Sequence, residues 1–347
     1  MKYILILSLF LTRNIFSQDV PKLPSTPSKV AVDSKDNVIV LIYPGRVAKI
    51  SPDGKMSYIT EDIRRGIASN PWPTCKSMTI DGDDNIFMAD LDLIWKMTPD
   101  GKVTLFAGVP YKSTVKDGPL ATAQFREIQF IEADKSGNLF VAERDNTNKD
   151  NLGDFFLIRK ISKEGMVTTL VNTRENAELK TGWISGMGLD PSGNIYISDG
   201  DGRCIKKLHK DGKITRVAGM CGKRQFHPVY VQGDVDKAEL MAPQDILINK
   251  QGDVIFSDGR LHRIIKVADN EVTTIAGNGV IQPNSVNMGG RAKEGYKDGP
   301  ALTALFNFPL GCDIAIDSRQ NIYIIDGGNA CIRKLSPEGV VTTIAKQ

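Results

Sequence analysis

Residues 313–345 read DIAIDSRQNIYIIDGGNACIRKLSPEGVVTTIA, and this stretch decides the fold. Its four short runs, DIAI, NIYIID, CIRKL and VVTTIA, alternate side chains with a period of two, as strands with two distinct faces do. Polar turns separate them. D-S-R-Q-N follows the first run and S-P-E-G the third, and Asp, Asn and Gly accept the positive φ of a tight hairpin. The unit reads as four antiparallel strands.

A lone sheet of this kind leaves both faces wet, so it survives only by packing on others. The chain supplies five more copies, beginning at Val30, Met78, Ile131, Met187 and Ile246. Their first-turn residues align as Asn37, Asn85, Asn138, Asn194, Asp253 and Asn321. A lysine follows in each third run: Lys49, Lys96, Lys160, Lys207, Lys266 and Lys334. Closing six such sheets into a ring buries both faces of each and leaves few exposed edges. A linear β-solenoid, the competing repeat architecture, has shorter repeats and no paired hairpins. The expected fold is all-β: a six-bladed β-propeller of four-stranded antiparallel blades, at about 28–62, 75–108, 128–172, 184–220, 243–277 and 311–345.

Three features carry a family resemblance: the core G-N-I-Y-x-x-D (Gly193–Asp199, and Gln320–Asp326 without the Gly), the I-R/K-K-L strand after it, and the linker D-G-P-x-x-T-A-x-F at Asp117–Phe125 and Asp298–Phe306. The chain resembles the NHL-repeat family of six-bladed propellers over nearly all of Val30 to Ala345. The resemblance implies a fold; function has to come from the site, because one fold hosts many activities. Each linker reads as a turn followed by an anchoring aromatic. Copy one departs from the pattern, with Tyr43 where the others have Asp90, Glu143, Asp199, Asp258 and Asp326. The chain enters on the first strand of copy one and ends on the last strand of copy six, so a swapped-strand closure is not indicated. A disulfide or the Asp19–Ser28 segment would seal the seam.

Residues 1–17, MKYILILSLFLTRNIFS, have the short basic start, apolar run and small residue of a secretory signal, with cleavage expected after Ser17. The run is too short to cross a bilayer, and no later stretch is apolar enough to span one. No Cys follows it to carry a lipid anchor. The expected location is secreted, periplasmic or cell-surface. The formal charge of +3 falls to +1 once Lys2 and Arg13 leave with that segment. A nearly neutral domain has no footprint for nucleic acid, whose binding rests on clustered positive charge.

Strand order sends the connections between second and third strands, and those between blades, to one face. All the length variation lies there, at 61–77, 109–129, 144–156, 172–185, 220–244 and 278–312. Binding residues concentrate on such loops. Trp72, Tyr111, Trp183, Phe226, Tyr230 and Tyr296 fall in them and are candidates for stacking on a sugar or peptide; roofing the blade edges is the alternative. The five cysteines belong to the same face. Cys204 and Cys221 flank an antiparallel pair and suit a disulfide, Cys312–Cys331 would have to reach across a strand, and Cys75 is left over.

The recurrent acids at the ends of the second strands read as caps on neighbouring backbone N–H groups. The column opening the innermost strands breaks the repeat: Lys29, Ser77, Phe130, Gly186, Asp245 and Asp313. Glu132 breaks the column of Ala31, Thr79, Gly188, Leu247 and Ala315. Glu132, Asp245 and Asp313 around the axis are a candidate metal set, for a divalent cation such as calcium; an ion pair with Lys29 is the other use for them. Amidating lyases share this propeller and use a His-rich metal centre, but only His209, His227 and His262 occur here, and the resemblance does not extend to those residues. A gluconolactonase-type site needs a Glu, two Asn and an Asp around the axis, and no Asn pair is identifiable. No nucleophile elbow, phosphate loop or nucleotide fingerprint is present. The sequence points to a module binding a protein, peptide or glycan on its irregular face, with a metal-dependent lactonase-, esterase- or lyase-type enzyme as the alternative.

Overall fold

The computed structural model describes residues 20–60, 63, 75–145, 155–176, 178–179, 183–222, 230–278, 292–308 and 312–347. The signal segment, Trp72 and Phe226 lie outside them. Six antiparallel sheets succeed one another, the four main strands of each ordered as in the chain. Their first strands, Pro27–Val32, Ser77–Ile80, Ile128–Ala133, Ile184–Leu189, Pro243–Ile248 and Ile314–Ile316, line a central channel.

The period-two pattern divides each strand between two neighbouring blades. In Val38–Ile42, Val38, Val40 and Ile42 pack with Tyr323, Ile325 and Ile332 of blade six, whereas Ile39 and Leu41 pack with Ile86, Met88 and Trp95 of blade two. Both faces are buried, so all five residues of that strand are buried. Equivalent clusters join blades two to three, three to four, four to five and five to six, which closes the ring.

The chain's start seals the seam. The Leu23 N–H donates to the Lys346 carbonyl at 2.7 Å, the Lys346 N–H donates to Pro21 at 3.1 Å, and Leu23 is fully buried between blades one and six. The first-turn motif is an Asx hairpin throughout: the Asp33 carboxylate accepts the Lys35 and Asn37 N–H groups and the Asn37 amide. Blade five exchanges the two residues, and the Asn249 amide then donates to Asp253 at 2.9 Å. Blades one and two hold Asp36 and Asp84 at φ 60° and 62° where blades three and four have Gly137 and Gly193. Asp tolerates this left-handed conformation better than most residues, and its carboxylate is put to use. Asp36 accepts the Ser318 N–H and hydroxyl from blade six, and Asp84 accepts the same groups of Ser34.

Three blades carry a fifth strand, which the four-stranded expectation lacked. Gly118–Pro119, Gly233–Asp234 and Gly299–Pro300 add to the outer edges of blades three, five and six. Two of these are the D-G-P linkers, whose Phe125 and Phe306 are fully buried as anchors. We call the three segments straps. Arg159 and Arg333, both fully buried, tie down the straps of blades three and six. Arg159 binds Asp117 at 2.8 Å, Glu143 at 3.0 Å and the Lys116 and Gln124 carbonyls, with Phe125 beneath it. Arg333 repeats this with Asp298, Asp326 and the Lys297 and Leu305 carbonyls over Phe306. Burial pushes Glu143 up to about 7 despite its arginine. The blade-five strap has Gln232 and Ile265 in the places of the Asp and the Arg.

Candidate functional site: the central channel and the irregular face

The axis is a polar channel of about 230 Å³. Innermost strands have no inward neighbour, so their edge N–H groups need other partners. Side chains of the preceding blade supply them. Asp313 accepts the Val30 N–H at 2.7 Å, Asp245 accepts the Ile314 N–H at 2.7 Å, and the Ser77 and Thr79 hydroxyls accept the Ile131 and Ala133 N–H groups at 3.1 and 3.2 Å. Between blades four and five the strands touch directly: a Cβ on Gly186 would stand 2.2 Å from the Gln244 carbonyl. That column therefore needs glycine.

The expected ion pair is present, with Lys29 Nζ 3.2 Å from Asp313. Lys29 is raised: burial opposes its charge, but Asp313 and Asp245 outweigh that. Asp245 is pushed up to about 8, first by burial and then by Asp313. Glu132, held by Thr79 at 3.4 Å, is raised well above the usual carboxylate range by burial and by the two aspartates. The proposed metal set lines one channel, but among the described residues no three His, Cys, Asp or Glu form a group that could hold an ion. Three of the oxygens are already committed to Ile314, Val30 and Lys29.

Of the acids ending the second strands, Asp199 and Asp258 cap the following loop as expected, and the set reaches further. Asp258 accepts N–H groups from the following loop (Arg260, Leu261) and from the preceding connection (Met241, Ala242). Asp326 and Glu143 likewise take the Asn307 and Arg126 N–H groups. The signal for their arginines was present in the sequence: Arg159 and Arg333 interrupt a column of Ala48, Trp95, Lys206 and Ile265.

The candidate aromatics divide. Trp183 stands edge-on to Phe156 beneath Arg144, and the Tyr230 hydroxyl meets Thr274 beside Arg263. Both are partly buried and roof the blade edges. Tyr296, bonded to Thr343 and set over the Arg333 guanidinium at 4.9 Å, is 51% exposed, and Tyr111 is 90% exposed. His262 is buried, its Nδ1 accepting the Phe308 N–H at 3.0 Å.

Cys204 and Cys221 are joined, with Cα atoms 5.2 Å apart. Cys312–Cys331 is corrected: both are free and buried. Cys331 opens the third strand of blade six and Cys312 precedes its first, so the second strand, Ile322–Asp326, lies between. Two inter-strand spacings of about 4.8 Å exceed disulfide reach. Cys75 is free, as expected. Burial pushes its thiol up to about 12.

No family model matches the chain, and no curated protein does. Solved structures do match. An auxiliary nutrient binding protein from Bacteroides thetaiotaomicron is 18% identical, with a TM-score of 0.61 over 92% of this chain and 69% of that one. A gluconolactonase from Xanthomonas campestris is 10% identical, with a TM-score of 0.54 over 93% and 88%. Virginiamycin B lyase from Staphylococcus aureus is 13% identical, with a TM-score of 0.52 over 94% and 87%. At these identities the likeness is one of fold. The chain is a six-bladed propeller, and among the described residues no helix is long and apolar enough to cross a membrane.

Proposed function

We propose that this protein is an exported, NHL-like propeller that binds a protein, peptide or glycan across its irregular face. The observation that carries this reading is the Tyr111 ring, 90% exposed on the connection that precedes blade three. Rings that roof a core are covered, whereas rings held out over polar loops suit stacking on a sugar or peptide. Two further facts support it: structural neighbours that include nutrient binding proteins, and channel acids engaged in holding the blades together. The disulfide suits an oxidising compartment and supports export.

Tyr111→Ala is the clean test, since the ring is not part of any core cluster. Screening the purified protein on oligosaccharide and peptide arrays should return ligands whose binding Tyr111→Ala weakens by about tenfold. Ligands retained equally by Tyr111→Ala and by a variant with 109–116 shortened would sink the reading.

A further inference from the structure

The opposite, hairpin face holds a larger hollow. A cavity of about 920 Å³ opens at the mouth of the channel, bounded by the first hairpins of blades one, three, four, five and six. It runs outward into a slot between blades three and four, where Phe140, Leu170, Val171 and Leu208 form apolar walls. The size suits a drug-sized ligand. Leu170 is 43% exposed although it stands in a strand, so that wall is open to solvent.

The charges of this hollow divide into engaged and unengaged groups. Its carboxylates Asp33, Asp36, Asp134, Asp190 and Asp317 all accept hydrogen bonds from hairpin N–H or side-chain donors. Asp190 is also paired with Lys207 at 3.1 Å, and Asp317 with Arg319 at 3.6 Å. Lys250 donates to the Ser318 carbonyl and His209 bonds Thr215. Among the described residues Lys135, Lys160 and Lys210 are in no ion pair, although Glu164 lies near enough to Lys160 to feel its charge.

Lys160 shows how this arises. In blade four the equivalent Lys207 reaches the Tyr196 hydroxyl at 2.7 Å and its own hairpin acid. Blade three has Phe140 in the place of Tyr196, and Lys160 stands over that ring at 5.9 Å without a hydroxyl to hold it. Blade two sets Lys96 over Phe87 in the same way, at 5.6 Å, and blade three differs in that its lysine lines a hollow.

We propose that the slot between blades three and four is a second ligand site, taking an amphipathic organic anion. Lys135, Lys160 and Lys210 receive its acid group, and Phe140, Leu170 and Val171 receive its apolar part. An ammonium in this position binds carboxylate, sulfonate or phosphate as a point charge, and a partly desolvated slot strengthens the attraction. The site is independent of whatever occupies the irregular face.

The probe is 8-anilinonaphthalene-1-sulfonate, followed by fluorescence, with decanoate and decyltrimethylammonium as competitors of equal chain length. Saturable binding is expected, displaced by decanoate and weakened about tenfold in Lys160→Met/Lys210→Ser. Phe140→Tyr should weaken it too, because the new hydroxyl draws Lys160 back as Tyr196 draws Lys207. Tyr111→Ala, on the other face, should leave it unchanged. Circular dichroism and thermal midpoints confirm that each variant folds. Three outcomes overturn the proposal: no saturable binding up to about 1 mM, affinity unchanged in the lysine variant, or equal displacement by the cationic competitor.

Discussion

The straps and the central channel both bury charge, in opposite proportions. In blades three and six each buried carboxylate has its own buried arginine, and the second acid of each clamp, Asp117 or Asp298, is about two-fifths exposed. In the channel, three acids share one lysine. Burial raises acids in both regions: Glu143 reaches about 7 even beside its own arginine, while in the channel Asp245 reaches about 8 and Glu132 is raised with a single lysine nearby. The strap of blade five shows a third way, with Gln232 and Ile265 replacing Asp and Arg together. Its buried acid, Asp258, stays without an arginine and is capped by four backbone N–H groups instead.

The largest effect follows from splitting a buried acid–arginine pair. Arg333→Ile leaves Asp326 buried without its cation and strips donors from two carbonyls, and should lower stability by about 3–5 kcal/mol. Adding Asp298→Gln copies blade five and should restore more than half of the loss, read from paired urea unfolding curves. A double variant no better than the single one would mean that the blade-five arrangement does not transfer.

Lys29→Met comes next. It should cost about 2–3 kcal/mol at pH 8, because Asp313 is left without its ion pair. The loss should shrink towards pH 5, below the Asp245 value of about 8, where that acid holds its proton and adds no second unpaired charge. A loss equal at both values would show that the lysine acts only by packing.

Asp245→Asn should work in the other direction. The folded value of about 8 stands above the ordinary 3.8, so the folded state binds the extra proton between them. That contribution is complete below 3.8 and declines as pH rises towards 8. Asn stays neutral and still offers an oxygen to the Ile314 N–H. Thermal midpoints from pH 4 to 9 should decline less steeply than those of the parent, with a gain of about 1–2 kcal/mol at pH 8. A variant that tracks the parent would show that Asp245 is ionised throughout.

The ring was legible in the sequence because each strand's alternation is a statement about two neighbours, and six copies make it six times. The D-G-P linkers of blades three and six were legible as turns with an anchoring aromatic, but not as fifth strands. The third, Gly233–Asp234 with Ala238 and Leu240, was not, because its Asp, Pro and Phe are all replaced and only the positive φ of the glycine and the backbone pairing survive. The channel residues were visible as interruptions of a column. What they do was not, since capping the edge of the next blade is a contact between residues such as Asp245 and Ile314, 69 positions apart. The packing of Trp183 and Tyr230 was not legible for a related reason: a loop's place on a face does not say what its ring touches. The slot at Lys160 needed the absence of a hydroxyl at Phe140 to be noticed.

The smallest expected effect tests whether burial, rather than charge, separates the two regions. Asp36 accepts two hydrogen bonds from Ser318 at 2.8 and 2.7 Å, and these hold its carboxyl below the ordinary 3.8. A lowered acid contributes above that value, and the contribution is lost as pH falls through the folded one. Yet the group lies at the surface, where water competes for the same bonds. Asp36→Asn keeps the tolerance for positive φ and an acceptor for the Ser318 N–H, and removes only the charge. It should cost about 0.5 kcal/mol at pH 7 and nothing measurable near pH 2. A loss as large as that of Lys29→Met would mean that the hairpin belt closes the ring as strongly as the channel does, and the contrast between buried and exposed charge would fail.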